Sequence, residues 1–281
     1  MNKATPKKMN NETYNKSSKR STQKVSTSWG SVAPWYDHHL NSDTDTYHNK
    51  VVFPNLLRMI GVCHGKRVLD MACGQGIFSE KLRDQGAFVT GADIAKELIA
   101  LAEQNAKTIK EKGTHKVSYY VAPSHAMSMV KDKSIDIVVC VLALQNIEKL
   151  QDTIKEVKRV LCDDGKFFLV LNHPCFRIPK ASSWGYDEHD GVQYRRIDSY
   201  VSESKVKIDM TPGNTHDKKF TVSFHRPLQV YMKALHKYGF AISRLEEWQS
   251  HRQSEKGPRK HAEDVSRKEI PLFMCIESTV L

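Results

Sequence analysis

The amino-acid sequence predicts an α/β fold, in which helices cover both faces of a mostly parallel β-sheet. Three observations support this prediction. Apolar runs of strand length alternate with helical segments along most of the 281 residues, several of these runs end in an acidic or amide residue, and one run leads into a glycine-rich turn. Such alternation requires right-handed crossovers between parallel strands. Sheets of this type bind their ligands at the carboxyl ends of the strands.

The spacing of apolar residues assigns the individual elements. Strands are predicted at 67–71, 88–93, 117–122, 135–142, 166–171, 240–245 and 270–276. Helices are predicted at 47–60, 77–85, 95–112, 150–161 and 227–238, with a shorter helix before Tyr47. Pro54 should bend or divide its helix, because proline cannot donate the backbone hydrogen bond. The charged stretch 250–268 predicts a hairpin, and residues 174–226 interrupt the alternation as a long insertion.

The segment from Val68 to Gly76 carries the strongest functional signal. It is typical of a strand, an acid at the end of that strand, a turn containing Gly74 and Gly76, and then a helix. Neither glycine has a Cβ, so the backbone can turn tightly and approach a ligand closely. Asp93 ends the next strand, where its carboxylate can accept hydrogen bonds from two ribose hydroxyls. The pattern therefore predicts a site for a nucleoside-containing cofactor.

The acid before the glycines indicates which cofactor that is. A dinucleotide would place an anionic pyrophosphate on this turn, where the carboxylate of Asp70 would repel it. Ser79 also occupies the position of the third glycine of the dinucleotide motif. S-adenosylmethionine carries a sulfonium and an α-ammonium group instead, and a carboxylate attracts both. The residues favour S-adenosylmethionine, and the alternative is a strand–turn–helix unit without a ligand.

With these residues the chain resembles the class I S-adenosylmethionine-dependent methyltransferases. Val68 to Gly76 matches the first motif of that family, and Asp93 matches its ribose-binding acid. Residues 135–140 match its fourth strand, and residues 161–171 match the turn and fifth strand that follow. The resemblance covers roughly residues 30–281 and implies a Rossmann-like, seven-stranded methyltransferase sheet whose last strand is antiparallel. It places the methyltransferase domain at 29–281.

The resemblance also implies which residues bind the cofactor. Residues 29–37 are similar to the A-x-x-Y-D segment of the quinone-biosynthesis type of methyltransferase, so we expect residues 29–60 to form helices over the cofactor. At the end of the third strand the family often has an acid that contacts adenine, but that acid is missing here, so adenine recognition falls to backbone groups and Ser124. Met127 either faces adenine or fills the core. The expected cofactor-binding residues are Tyr36, Asp70, Ala72, Cys73, Gly74, Gly76, Asp93, Ile94, Ser124, His125, Ala126 and Leu142.

Three residues are candidates for the catalytic end of the cleft. Methyl transfer is an in-line displacement at an activated carbon, so most of the catalysis can come from positioning the acceptor and excluding water. Gln145 and Asn146 follow the fourth strand, where amides could orient a hydroxyl or an amine. His173 follows the fifth strand, where it could act as a base or a hydrogen-bond donor. The alternatives are a loop or capping role for the two amides and a structural role for the histidine.

The insertion 174–226 is rich in aromatic residues and contains several arginines. One interpretation is a cap over a flat acceptor that carries an anionic group. The other is a small subdomain whose aromatic residues form its own core, and the two interpretations are compatible. The residues concerned are Phe176, Trp184, Tyr186, Tyr194, Tyr200, Phe220 and Phe224, with Arg177, Arg195 and Arg196 among them.

Composition limits the remaining possibilities. Residues 1–28 contain seven lysines and arginines against Glu12, with almost no apolar residues, so we expect a disordered basic tail capable of weak, non-specific nucleic-acid contact. The net charge of +11 is therefore weak evidence for a nucleic-acid-binding face on the rest of the chain. Six dispersed cysteines without a C-x-x-C pair predict neither a metal site nor a disulfide framework, and they favour the cytoplasm. No apolar run is long enough to span a membrane.

The leading functional hypothesis is a methyltransferase of class EC 2.1.1 that uses S-adenosylmethionine to methylate a small or medium-sized acceptor. Two alternatives stay open on the sequence: an RNA methyltransferase that uses the basic tail, and a non-catalytic cofactor-binding protein with the same fold. The residues specify neither the acceptor atom nor the oligomeric state.

Overall fold

The computed structural model describes residues 29–33, 45–108, 115–211 and 218–281. The expected tail 1–28, the candidate Tyr36 and the predicted end of a helix at Gly113 lie outside these residues. Residues 29–33 are helical.

The described elements follow the predicted alternation. The strands are β1 (Arg67–Met71), β2 (Phe88–Asp93), β3 (Ser118–Val121), β4 (Ile135–Val141), β5 (Leu161–Asn172), β6 (Ser182–Asp187), β7 (Val192–Ile197), β8 (Ser204–Asp209), β9 (Phe220–His225), β10 (Phe240–Trp248) and β11 (Phe273–Val280). The α-helices are α1 (Phe53–Ile60), α2 (Ile77–Asp84), α3 (Lys96–Thr108), α4 (Leu150–Val160), α5 (Leu228–Lys237) and α6 (Lys260–Glu269). A π-helical turn, His48–Val52, leads into α1, and the 3-10 turn Leu144–Asn146 follows β4.

Seven of the described strands form one sheet in the order β10-β11-β5-β4-β1-β2-β3. The pairs from β5 through β4, β1 and β2 to β3 are parallel. β11 is antiparallel to both of its neighbours, β5 and β10. The predicted Rossmann-like methyltransferase sheet with an antiparallel last strand is therefore confirmed.

The two faces of the sheet pack into separate apolar clusters, because successive side chains of a strand point to opposite faces. Val68 lies in the cluster that contains helices α1 and α2, whereas Leu69 lies in the cluster that contains α4 and α5. Val139 and Val138 of β4 divide between the two clusters in the same way. The central strands are thus buried on both faces, as their unbroken apolar sequence predicts.

The N-terminal helical region changes its hydrogen-bonding pattern at Pro54. The π-helical turn ends at Val52, and α1 begins one residue before the proline. Pro54 lies in the first turn of α1, where its missing backbone N–H is tolerated. The helical backbone runs without a break from Tyr47 to Ile60, so Pro54 does not divide the predicted helix 47–60.

Strand β5 begins earlier than the sequence predicts. The helix α4 ends at Val160, and Leu161 pairs at once with Ile135 of β4. Regular pairing resumes between Lys166 and Ile137, so the residues between form an irregular excursion of the strand. The Asp-Asp-Gly sequence of that excursion is typical of a loop, so the prediction placed the start of the strand too late.

The hairpin predicted near 250–268 is wrong, since residues Lys260–Glu269 form the helix α6. Lys260 forms an ion pair with Asp264 one turn later, and Glu263 lies 3.8 Å from Arg267 with the same spacing. Such pairs stabilise a helix without an apolar stripe. Only Ser266 of α6 is buried, so the sequence offered few core residues to mark this helix.

The insertion 174–226 contains two antiparallel hairpins that do not join the main sheet. Strand β6 pairs with β7, and β8 pairs with β9. The first hairpin contacts α6, where the amide of Gln193 donates a 3.1 Å hydrogen bond to the hydroxyl of Ser266. The second packs with β9 against the turn Leu144–Asn146. The insertion therefore extends over two different parts of the sheet edge.

Within the described ranges, no helix is both long and apolar enough to cross a membrane.

Candidate active site

A cavity of about 520 Å³ lies at the carboxyl edge of the sheet. Its walls come from the ends of β1 to β4, from the loop after β4 and from the β8–β9 hairpin. This volume is within the range of small-molecule sites. The lining residues are Trp29, Ala72, Gly74, Asp93, Ile94, Leu98, Ala122, Pro123, Ser124, His125, Val141, Leu142, Ala143, Asn146, Ile147, Glu148, Lys149, Lys205, Val222 and Phe224.

Two non-glycine residues of the cavity wall have left-handed backbones. Ala72 follows β1 with a φ of 59°, and Leu142 follows the neighbouring β4 with a φ of 51°. Each such residue costs about 1–2 kcal/mol relative to a right-handed conformation. Strain of this kind persists where the surrounding structure imposes it, and it is concentrated at functional sites. Ala72 and Leu142 thus turn the chain away from the strand ends and open the cavity between them.

The glycine turn has the conformation that its sequence requires. Gly74 has a φ of 57° and lines the cavity, while Gly76 has a φ of 79° and does not line it. The hydroxyl of Tyr119 donates a 2.9 Å hydrogen bond to Glu80 and lies 3.3 Å from the carbonyl oxygen of Gly76. A Cβ at position 76 would collide with the ring of Tyr119. Gly76 therefore shapes the turn, whereas Gly74 forms part of the wall.

Asp93 links the end of β2 to the glycine turn. One carboxylate oxygen accepts a 3.0 Å hydrogen bond from the amide of Gly74, and the other accepts a 2.8 Å bond from the amide of Ala95. Burial raises the pKa of Asp93, and these amides oppose the shift. Each carboxylate oxygen can accept more than one hydrogen bond. Asp93 lines the cavity and can still accept bonds from a diol there.

Asp70 lies behind the turn and is 2% exposed. Its carboxylate accepts a 2.6 Å hydrogen bond from the hydroxyl of Ser79 and does not line the cavity. Burial raises the pKa of Asp70 to about 7, the bond from Ser79 opposes the shift, and the charge of Asp93 adds to it. Because the carboxylate of Asp70 does not line the cavity, it can attract a bound cation through the electrostatic field of its charge but does not contact that cation directly. Cys73 also lies outside the wall, and its amide bonds to the carbonyl of Ala92 at 3.1 Å.

The residues after β3 divide between the cavity and the core. Ser124 and His125 line the cavity. Ser124 shares a 3.0 Å hydrogen bond with Thr153, and His125 lies 3.3 Å from the ammonium of Lys149. Ala126 is exposed and does not line the cavity. Fully buried Met127 belongs to the apolar core, as the second interpretation of this residue predicts.

The two amides after β4 have different positions. Asn146 lines the cavity, and its side-chain nitrogen lies 3.4 Å from the carbonyl oxygen of Leu142. Gln145 is buried outside the wall, and its side-chain nitrogen donates a 2.7 Å hydrogen bond to the same carbonyl. Asn146 is therefore the amide that can contact a ligand, and Gln145 supports the turn.

His173 lies apart from the cavity. It is 2% exposed, and its Nδ1 accepts a 3.2 Å hydrogen bond from the amide of Cys175. Its Nε2 lies 2.6 Å from Glu247, and its ring lies 4.6 Å from that of Phe176, centroid to centroid. Burial lowers the pKa of His173, and Glu247 opposes the shift. Both ring nitrogens are thus engaged, and the fold does not bring His173 and Asn146 to one site.

The β8–β9 hairpin contributes cavity residues that sequence reasoning missed. Lys205, Val222 and Phe224 all line the cavity. Only Phe224 was a candidate from the sequence, because it is one of the aromatic residues of the insertion. The ammonium of Lys205 donates a 2.9 Å hydrogen bond to the carboxylate of Glu148 on the opposite wall. Buried Arg226 donates hydrogen bonds of 2.9 Å to the carbonyls of both Ile147 and Glu148. The hairpin is therefore attached to the loop that carries Asn146.

Metal-binding geometry is missing from the described part of the chain, where no group of three or more His, Cys, Asp and Glu side chains could hold an ion. All six cysteines are described, and all are free thiols.

Comparison with curated proteins finds similarity to methyltransferases. A family model described as a methyltransferase domain matches residues 69–169. The ubiquinone biosynthesis O-methyltransferase of Photobacterium profundum is 31% identical over 177 residues, which are 60% of this chain and 71% of that protein. The protein of the same name from Idiomarina loihiensis is 32% identical over 109 residues, 38% of this chain and 43% of that protein. The chain spans about half the length of several curated relatives it matches, including 58% of the protein of the same name from Pseudomonas entomophila.

Comparison with solved structures gives the same fold. An S-adenosylmethionine dependent methyltransferase from Mesorhizobium loti superposes with a TM-score of 0.63 at 25% identity, over 80% of this chain and 96% of that chain. A methyltransferase from Methanosarcina mazei superposes with a TM-score of 0.55 at 20% identity, over 81% and 97% of the two chains. The second similarity concerns the fold alone.

Proposed function

Because this chain belongs to the S-adenosylmethionine-dependent methyltransferases, we propose that it transfers the methyl group of that cofactor to a small or medium-sized acceptor. One observation carries the proposal. A single cavity contains the acid and glycine of the cofactor motif, Asp93 and Gly74, and is closed on another side by Phe224 of the β8–β9 hairpin. A donor and an acceptor could therefore share one site.

The wall residues fit the chemistry of S-adenosylmethionine. Asp93 offers carboxylate oxygens to a ribose diol, and the apolar side chains of Ile94 and Leu98 offer contact to a flat base. Ser124 supplies a hydroxyl at the end of the third strand. When bound, the cofactor supplies a methyl group on a sulfonium, which is already activated for displacement. The task that remains for the protein is to hold the acceptor in line and to exclude water.

We assign the acceptor side to Asn146 and to the β8–β9 hairpin. The amide of Asn146 can orient a hydroxyl without carrying charge. Val222 and Phe224 present apolar surface to the same space. The named relatives are O-methyltransferases, which favours a hydroxyl acceptor for this chain as well. Since both nitrogens of His173 are engaged, we assign that residue a structural role and route no proton through it.

The test combines binding with turnover. Calorimetry should detect S-adenosylmethionine binding to the full chain, and Asp93→Ala should weaken it at least tenfold by removing the diol acceptor. Asp163→Ala is the matched control, because Asp163 is exposed and pairs with Lys133 away from the cavity. Methyl transfer from labelled cofactor is then assayed against small phenols, amines and thiols. The proposal fails if the wild type does not bind the cofactor, or if only RNA accepts the methyl group.

We also propose a cytoplasmic location, supported by six free cysteines, three of which are buried. Reduced cysteines are usual where glutathione keeps thiols reduced. Cell fractionation of the tagged full chain tests this, and recovery in an oxidising compartment would contradict it.

A further inference from the structure

A second cavity, of about 250 Å³, lies beside the first hairpin of the insertion. Its walls include three arginines and three aromatic residues, which are Arg177, Arg195, Arg267, Tyr47, Phe176 and Trp184. No described residue lines both this cavity and the one that contains Asp93. We call it the arginine cavity.

Arg177 is the unusual residue of the arginine cavity. Its guanidinium forms no hydrogen bond or ion pair with a described residue, and its Cζ lies 5.8 Å from the centroid of the Phe273 ring. Burial lowers the pKa of Arg177, Tyr47 opposes this shift, and the neighbouring charge of Arg195 adds to it. Arginine nevertheless keeps its charge in proteins. Arg177 is half-buried, and a partly desolvated cation without an anion favours an anionic ligand.

Arg195 is oriented toward the same space. Its Nε donates a 2.8 Å hydrogen bond to the carbonyl of Phe176, and one terminal nitrogen donates a 2.7 Å bond to the hydroxyl of Ser182. Its Cζ lies 5.1 Å from the centroid of the Trp184 ring. These contacts fix the guanidinium plane but supply no negative charge. Arg195 is therefore a preorganised cation whose other terminal nitrogen can still donate.

Among the described residues, the only carboxylates that form ion pairs with any of these three arginines belong to α6. Arg267 lies 3.8 Å from Glu263 and 3.9 Å from Asp264. These acids compensate Arg267, which leaves the charges of Arg177 and Arg195 uncompensated. The cavity thus has a net positive charge beside aromatic surface.

We propose that the arginine cavity binds a small organic anion, a carboxylate attached to a flat apolar group. The carboxylate would accept hydrogen bonds from Arg177 and Arg195, since a guanidinium matches its geometry. The flat group would contact Phe176 and Trp184, which is partly exposed and lies at the cavity wall. This site is separate from the proposed donor and acceptor site, and the inference does not depend on methyl transfer.

The test uses benzoate as the probe and the full chain as the protein. Calorimetry should show one benzoate site, and Arg177→Gln should weaken it at least tenfold. Arg196→Gln is the matched control, because Arg196 is the next residue on β7, is exposed and pairs with Asp198. Acetate and inorganic phosphate should bind at least tenfold more weakly than benzoate, because they lack the flat apolar group.

Two further measurements keep the test decisive. S-adenosylmethionine affinity should be equal in the wild type and in Arg177→Gln, which shows that the variant is folded. Arg177→Lys keeps the charge and should retain part of the benzoate affinity, and Trp184→Phe should remove most of the benzoate-dependent change in tryptophan fluorescence. The proposal is overturned if benzoate does not bind, if Arg177→Gln binds it as the wild type does, or if phosphate binds as tightly as benzoate.

Discussion

The side-chain amide of Gln145 donates a 2.7 Å hydrogen bond to the carbonyl oxygen of Leu142, a residue whose φ is 51°. The bond joins a buried polar side chain to the strained residue that directly follows β4. Leu142 and Asn146 line the cavity, and Gln145 does not. Gln145 is therefore placed to hold the turn in the shape that presents its two neighbours to a ligand.

Replacing Gln145 with Met should loosen this turn. The change keeps a similar volume and removes the hydrogen bond, so we expect the free energy of unfolding to fall by about 1 kcal/mol. Cofactor affinity should fall more than this small loss of stability explains, because Leu142 lies on the wall. Urea unfolding and calorimetry measure the two effects. Unchanged cofactor affinity in Gln145→Met would show that the turn keeps its shape without the bond.

Asp70 should make both stability and cofactor affinity depend on pH. In the folded state the pKa of Asp70 is about 7, above the ordinary value of 3.8. Between pH 3.8 and pH 7 the folded state therefore binds more protons than the unfolded state, so the free energy of unfolding falls as the pH rises through this range. Asp70→Asn should therefore be more stable than the wild type at pH 8, by a few kcal/mol at about 1.4 kcal/mol per unit of pKa difference. The advantage should shrink toward pH 4. Denaturant unfolding at a series of pH values measures it.

The same carboxylate should favour a cationic ligand only when it is ionised. Wild-type affinity for S-adenosylmethionine should therefore fall as the pH decreases from 8 to 6, whereas Asp70→Asn should bind more weakly with a flatter profile over that range. Calorimetry at each pH compares the two proteins. Parallel profiles would show that Asp70 is not the group responsible for the pH dependence.

Arg226 should act as a positioning residue for the acceptor side. Arg226→Met removes the hydrogen bonds to the carbonyls of Ile147 and Glu148, and we expect a loss of about 3 kcal/mol of stability, since hydrogen bonds to charged groups are among the stronger ones. Turnover should fall while the KM for S-adenosylmethionine stays within about twofold. Arg226→Lys should recover part of the turnover.

The matched control for Arg226 is Arg244→Met on β10, which removes an exposed ion pair with Glu246 and should change stability by less than about 1 kcal/mol. An equal loss of stability in the two variants, or a KM that rises as far as kcat falls, would contradict the positioning role of Arg226.

His173 should contribute to stability and not to chemistry. Burial lowers its folded pKa, so the unfolded state binds protons more readily and wild-type stability should fall as the pH decreases below about 6.5. His173→Gln should lack this part of the pH dependence and retain the wild-type turnover at pH 8 when measured below its unfolding temperature. A large loss of kcat in a folded His173→Gln protein would show that His173 takes part in the reaction.

Several elements could be predicted from the sequence because their signals are local. The bounds of β1 and β2 agree with the prediction at Arg67–Met71 and Phe88–Asp93, since apolar runs bounded by glycine specify their own ends. The glycine turn and Asp93 follow from the same local pattern. By contrast, α6 was missed because its stabilising contacts are ion pairs along an exposed helix, which has few core residues to mark it.

The residues of the site also fall into two groups, those predicted from local sequence and those positioned by tertiary contacts. The sequence alone determined the parallel sheet and, through the resemblance, its antiparallel last strand. It also determined that Gly74 and Asp93 lie at the same edge of the sheet, because parallel strands have their carboxyl ends at one edge. Only the tertiary structure decided that Lys205 and Phe224 close the cavity, that His173 lies outside it, and that Arg177 meets Arg195 in a second cavity. These outcomes depend on how two hairpins of the insertion fold onto the sheet edge, and contacts between residues far apart in the chain have no signature in either local sequence.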